Sequence, residues 1–287
     1  VMPNTIRRCA VRTTAIRLGI ALLCTSSVPV SAQGIPAPAP APPVPQRISA
    51  SKIVLVGDST TAVAGGWGGV FCGEHVTSFV ACVNLARGGR SSGSYIAEGS
   101  WEIALAEMKT PGFARTWVLI QFGHNDQPGK PGRSTDLATE FPANIARYVR
   151  ETRAAGAMPI LVTPLTRRMF ANGALSNDLE PWAAAVRKVA ATMKVPLIEL
   201  NAKSAAAVQA MGEAQADRFA QLPPGVAGTG VPAATGEVDD LPFAQRKLSF
   251  DRTHLGYAGA RYFAAMMARE LSATVPEMRK MLFQNGY

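Results

Sequence analysis

Residues 52–60 read KIVLVGDST, and this stretch decides the fold. Ile53, Val54, Leu55 and Val56 leave no polar face, which is the pattern of a strand buried on both sides of a parallel sheet. Gly57 then permits a tight turn, so Ser59 stands where the strand stops and presents its hydroxyl at the sheet's carboxyl edge. A serine after a strand is common, and this turn alone assigns no chemistry. Similar apolar runs recur at 80–85, 116–122, 159–163 and 196–200, separated by helical patterns. In one of these Val186, Val189, Ala190 and Met193 fall at helical spacing; in another Phe263, Met266, Met267 and Leu271 do the same. The alternation predicts one α/β domain: a three-layer α/β/α sandwich on a five-stranded parallel sheet, with ligands at the carboxyl ends of the strands. Residues 219–245 break the rhythm with prolines, glycines and the acids Glu237, Asp239 and Asp240, as a functional or mobile loop does.

Composition narrows the class. The chain has 287 residues, 47% hydrophobic and 17% charged, so it is neither disordered nor a disulfide-built miniprotein. No CxxC or HExxH occurs, and neither a metal nor a cofactor is called for. Arg7, Arg8, Arg12 and Arg17 precede an uncharged stretch from Leu18 to Leu23, and small residues follow up to Ala32. This is the order of a cleavable signal peptide, expected at 1–32, and the apolar stretch is too short for a stable membrane anchor. Residues 35–46, IPAPAPAPPVPQ, hold six prolines in twelve positions, so 33–46 reads as an extended linker and 47–287 as the folded domain. Without the signal region the formal charge falls from +9 to 25 − 20 = +5, which argues against nucleic acid and leaves a modest bias towards an acidic polymer. Cys72 and Cys82 then remain, either as two buried thiols or as a disulfide contributing roughly 2 to 3 kcal/mol in an oxidising compartment. Secretion or periplasmic export is the localisation that follows.

Three further segments end at the same sheet edge as Ser59. Arg87-Gly88-Gly89-Arg90-Ser91-Ser92 follows the second strand, and paired glycines there expose a backbone N–H to a developing oxyanion. Gly123-His124-Asn125-Asp126 follows the third strand, where the Asn125 amide can supply a second donor. Asp251-Arg252-Thr253-His254 precedes the last helix, a spacing that lets the carboxylate fix the imidazole tautomer while its other nitrogen faces Ser59.

The ordered blocks GDS, glycine pair, GxND and DxxH resemble those of the SGNH hydrolases, also called GDSL-type esterases. Within them the sequence is most similar to the rhamnogalacturonan acetylesterase group, through GDST at 57–60, GRSS at 89–92, QFGHNDQ at 121–127, DRTHL at 251–255 and PILVTPLTRR at 159–168. The resemblance covers about residues 52 to 272. It implies a flavodoxin-like fold and a serine esterase that removes O-acetyl groups from an acetylated, acidic polysaccharide. Ser59 would be the nucleophile, His254 the base and Asp251 its orienting acid. The backbone N–H groups of Ser59 and Gly89 and the side chain of Asn125 would hold the oxyanion. Arg90, His124, Arg167 and Arg168 are candidate substrate contacts, each with a solvated or structural role as the alternative. Asp58 is expected to accept hydrogen bonds from its own turn, Asp126 to brace its loop, Trp101 to pack, and His75 to lie at the surface or in a loop. A lipolytic esterase or thioesterase with the same residues, and a silent polysaccharide-binding protein, are the competing functions.

Overall fold

The computed structural model describes residues 48–226 and 249–284. The expected signal peptide at 1–32, the linker at 33–46 and the part of the 219–245 loop beyond residue 226 lie outside the described residues. The described residues belong to one compact unit.

Five parallel strands form its sheet: β1 (Ser51–Gly57), β2 (Val80–Asn84), β3 (Thr116–Gln121), β4 (Met158–Val162) and, after a small hairpin, β7 (Leu197–Ile198). Their spatial order is β2-β1-β3-β4-β7, so the parallel strands run 2-1-3-4-5 in chain order. That is the flavodoxin-like arrangement. Successive residues of the strands point to opposite faces, and each face has its own core. Ile53, Leu55, Trp117, Leu119 and Val162 pack against Phe263, Met267 and Leu271 of α8 (Tyr257–Thr274) and Val208 of α6 (Leu200–Met211). Val54, Val56, Val118, Ile120 and Leu161 meet Tyr95 of α2 (Ser92–Ala97), Trp101 of α3 (Ser100–Met108), Tyr148 of α4 (Glu140–Ala154) and Val186 of α5 (Glu180–Met193). Trp101 is wholly buried, edge-on to Tyr148 at 4.6 Å between ring centroids.

Some elements depart from the sequence reading. The last strand is two residues long, because Leu200 already opens α6 and buries its side chain there. Between β4 and α5 lies a hairpin, β5 (Phe170–Ala171) with β6 (Ala174–Leu175). Its turn is Asn172-Gly173, both with positive φ (52° and 79°), the pair that two-residue hairpins favour. His75 is buried, not at the surface. It ends a π-helical turn, Phe71–His75, and its Nδ1 lies 2.9 Å from the carbonyl of Phe283. Cys72 in that turn is bonded to Cys82 in β2, with the Cα atoms 5.4 Å apart. The disulfide joins the turn to β2, an edge strand of the sheet.

Candidate active site

The chain leaves β1 towards β2 on one side and reaches β3 on the other, so a crevice opens beyond the carboxyl ends of β1 and β3. Ser59 lies just past the end of β1, Gly88 and Gly89 past that of β2, and Asn125 past that of β3, all at the same carboxyl edge. Gly57 is required for the β1 exit, since a Cβ there would stand 2.6 Å from the carbonyl oxygen of Gln121. Asp58 is fully buried and turns inward, its Oδ1 accepting from the Thr60 N–H (2.8 Å) and hydroxyl (2.7 Å). Gln121 donates to that hydroxyl at 2.7 Å and accepts from the Trp67 indole at 3.0 Å. On its other side Asp58 Oδ2 lies 3.3 Å from His124 Nδ1, at an angle poor for a hydrogen bond. Burial opposes the charge on Asp58, but the His124 ring and the Thr60 bonds outweigh it and hold the carboxyl below its ordinary pKa. This chain of side chains locks the turn and leaves Ser59 facing out.

The structure brings Ser59, His254 and Asp251 into one line. Ser59 Oγ lies 3.0 Å from His254 Nε2, and His254 Nδ1 lies 3.1 Å from Asp251 Oδ2. Asp251 Oδ1 also accepts the backbone N–H groups of Thr253 and His254, each at 2.7 Å. Partial burial pushes its pKa up, and the bonds from His254 and the two N–H groups more than reverse this, so Asp251 stays ionised below the usual carboxylate range. With the proton of the ring on Nδ1, Nε2 is free to accept from the serine hydroxyl. The turn that carries His254 is tied from three sides. Leu255 donates to Gly65 (2.8 Å) and Gly256 to Phe219 (2.8 Å), while Arg168 reaches the carbonyls of His254 (2.8 Å), Asp251 (3.2 Å) and Thr253 (3.3 Å).

Gly89, at φ 77°, turns the glycine block back beneath Ser59, and Arg87 N–H fastens the block to the Gly57 carbonyl at 2.9 Å. A Cβ on Gly88 would lie 3.6 Å from that of Ser59. Among the described residues neither the Ser59 nor the Gly89 N–H has an acceptor. Asn125 gives one amide N–H to the Arg90 carbonyl at 3.1 Å, which fixes the side chain and leaves its second N–H. Asp126 joins the two loops. Its Oδ1 accepts from the Ser92 N–H (3.0 Å), the Ser92 hydroxyl (2.6 Å) and the Thr135 hydroxyl (2.9 Å). Burial raises its pKa to about 6 despite those bonds.

The four residues read as substrate contacts fall differently. Arg168 is fully buried and its two Nη groups donate to backbone carbonyls, so the substrate-contact reading gives way to one in which it fixes the His254 turn. His124 is also sealed, 2% exposed, behind Asn125, and it too is corrected from substrate contact to part of the scaffold. Arg90 lies along the block, held by Glu98 at 2.9 Å and the Gly88 carbonyl at 2.8 Å. Arg167 pairs with Asp178 and bonds the Thr253 hydroxyl at 3.2 Å. Sequence reasoning did not single out Lys130 and Arg133, which reach the His124 and Gly89 carbonyls from a loop without periodicity. It also missed the Trp67–Gln121–Thr60 chain, whose members have ordinary core or turn patterns. Among the described residues no three His, Cys, Asp or Glu side chains group as a metal site, and no helix is long and apolar enough to cross a membrane.

Residues 55–262 match the GDSL-like lipase/acylhydrolase family. The chain belongs to this family. Its blocks place it among the SGNH hydrolases close to the rhamnogalacturonan acetylesterases. It is 34% identical over 184 residues to the probable rhamnogalacturonan acetylesterase YesY of Bacillus subtilis, covering 62% of this chain and 82% of that protein. It is 36% identical over 176 residues to rhamnogalacturonan acetylesterase RhgT of the same organism, covering 58% and 72%. Solved structures share the fold. YXIM of Bacillus subtilis superposes with a TM-score of 0.58 at 22% identity, over 79% of this chain but only 58% of that longer one. Axe2, an acetylxylan esterase of Geobacillus stearothermophilus, gives 0.51 at 18% identity over 80% and 96%.

Proposed function

We propose that this GDSL-family hydrolase is an exported serine esterase that removes O-acetyl groups from an acetylated pectic polysaccharide, rhamnogalacturonan before others. The observation that carries the chemistry is the continuous contact from Ser59 through His254 to Asp251, beside two unused backbone N–H groups. Ser59 attacks the acetyl carbonyl as His254 Nε2 takes its proton, and the charge that develops on the ring is balanced by Asp251. The carbonyl oxygen becomes an oxyanion and receives the N–H groups of Ser59, Gly89 and Asn125. His254 then returns the proton to the departing sugar hydroxyl, and a water activated by the same nitrogen releases acetate. None of these steps calls for a cofactor or a metal. The substrate class is supported by the two rhamnogalacturonan acetylesterases at 34% and 36% identity, and export by the basic, apolar and small-residue order of residues 7–32.

Acetate release from acetylated rhamnogalacturonan, acetylated xylan and a series of aryl esters of growing chain length tests this reading. The pectic polymer should be the best substrate, and activity on the aryl esters should fall beyond two carbons. Rates that rise with acyl length would replace the reading with a lipolytic one. Ser59→Ala and His254→Ala should each remove several orders of magnitude of turnover; near wild-type rates in either would end the mechanism.

A further inference from the structure

Three long cationic side chains gather beside the segments that carry Gly89 and Asn125. Lys130 Nζ and Arg167 Nη2 share one acceptor, the backbone carbonyl of His124, at 2.5 and 3.3 Å. Arg133 Nη1 reaches the Gly89 carbonyl at 3.5 Å, and its Nε is buried with no partner. The carboxylate in contact with this group, Asp178, is already engaged by Arg167 and by Gln127 at 3.0 Å. Asp58 lies beneath, fully buried and occupied by Thr60. Among the described residues, therefore, neither Lys130 nor Arg133 has an ion-pair partner, and both lean on neutral carbonyls while partly withdrawn from water. Burial, together with the charges of Arg167 and Arg133, lowers the pKa of Lys130. Such an arrangement costs free energy that an incoming anion would recover.

From the geometry we infer that Lys130 and Arg133 form a subsite for a substrate carboxylate, that of a uronate in the polysaccharide. The inference rests on the esterase reading above and specifies its substrate. The position fits, because a Cβ on Gly88 would touch Ser59 at 3.6 Å and one on Gly89 would touch Arg133 Nη1 at 3.7 Å. With consecutive Cα atoms about 3.8 Å apart, the guanidinium lies on the order of 10 Å from the serine, within reach of a sugar whose ester is at Ser59. Arg133 also lines a polar pocket of about 450 Å³ with Ser94, Thr135, Asn144 and Glu140, whose carboxylate is engaged by the Asp136 N–H at 2.7 Å, and it has room for a sugar ring. Lys130 and Arg133 belong to one turn, the Arg133 N–H donating to the Lys130 carbonyl at 3.0 Å, so an ammonium and a guanidinium can offer one carboxylate a point and a forked donor.

The test compares wild type with Lys130→Met, Arg133→Gln and the double variant on three substrates: acetylated polyuronate, the same polymer with its carboxylates methyl-esterified, and 4-nitrophenyl acetate. Losing a hydrogen bond to a charged partner typically costs tenfold or more in affinity. KM for the acidic polymer should therefore rise about tenfold in the double variant, with kcat/KM for the aryl ester kept within about twofold. The methyl-esterified polymer should not distinguish the proteins, and the charge-keeping Lys130→Arg and Arg133→Lys should retain most of the affinity. Equal losses on all three substrates, or an unchanged KM on the acidic polymer, would overturn the subsite. A binding arm separates this from failure of the esterase reading. Tetragalacturonate without acetyl groups should bind Ser59→Ala protein at least tenfold more tightly than the same protein carrying both rim substitutions. Equal binding overturns the subsite whether or not the wild type releases acetate from any polymer.

Discussion

Replacing Asp126 by asparagine should change how stability depends on pH more than it changes the fold. Asp126 is fully buried, and three of its hydrogen bonds converge on Oδ1, so an amide oxygen at the same place can accept them all. Its pKa rises from an ordinary 3.8 to about 6 because burial outweighs the bonds from Ser92 and Thr135. A carboxyl whose folded pKa is raised gives stability that is fully present below the unfolded value and is lost as pH climbs through the folded value. The window is therefore pH 4 to 6. A shift of about two units corresponds to about 3 kcal/mol at full ionisation, since one unit is about 1.4 kcal/mol. Asp58 and Asp251, with lowered pKa values, act in the opposite sense, and their contributions fade only as pH falls through folded values below 3.8. Subtracting the variant from the wild type removes those terms. Denaturant midpoints measured from pH 4 to 7 should show the wild type losing roughly 2 to 3 kcal/mol relative to Asp126→Asn over that range. A difference that stays flat would refute burial as the dominant influence on this carboxyl. One that grows in the opposite direction would mean that Ser92 and Thr135 stabilise the charge outright.

Arg168→Met should lower kcat by at least about tenfold while leaving KM for a small acetate ester nearly unchanged, because it strips three carbonyls of the His254 turn and touches no substrate; steady-state kinetics on an aryl acetate decide it. Asn125→Ala should cost on the order of 10² to 10³ in kcat, with the thermal midpoint shifted far less than the rate. Gly57→Ala should destabilise the domain by about 1 to 3 kcal/mol in denaturant titration, since its methyl meets the Gln121 carbonyl oxygen at 2.6 Å.

Much of this was legible because the signals are local. Ile53–Val56 announces a doubly buried strand, and GDS, GHND and DRTH each stand at a chain reversal that their own residues dictate. The hairpin at Asn172-Gly173 was not anticipated, although that pair is an ordinary two-residue turn signal. Other features have no local mark. His75 reads as a loop residue, and it is buried only because the Phe283 carbonyl comes back over it from 208 positions away. Arg168 reads as a candidate substrate contact beside Arg167, yet the DRTH turn folds across it and takes up its Nη donors. Arg133 is 44 positions from the glycine whose carbonyl it meets.

The sequence by itself determined the strand sequence, the reversal points and the residue types at each, since these follow from side-chain periodicity and backbone permission within a few residues. Only the tertiary structure decided which side chains share a space. Ser59 and His254 are 195 positions apart, and their 3.0 Å contact exists because the sheet order brings the first turn and the last one to a single edge. Burial decided the rest: the same geometry that leaves Ser59 open closes Arg168 and His124 away and, among the described residues, rests Lys130 and Arg133 on backbone carbonyls with no ion-pair partner.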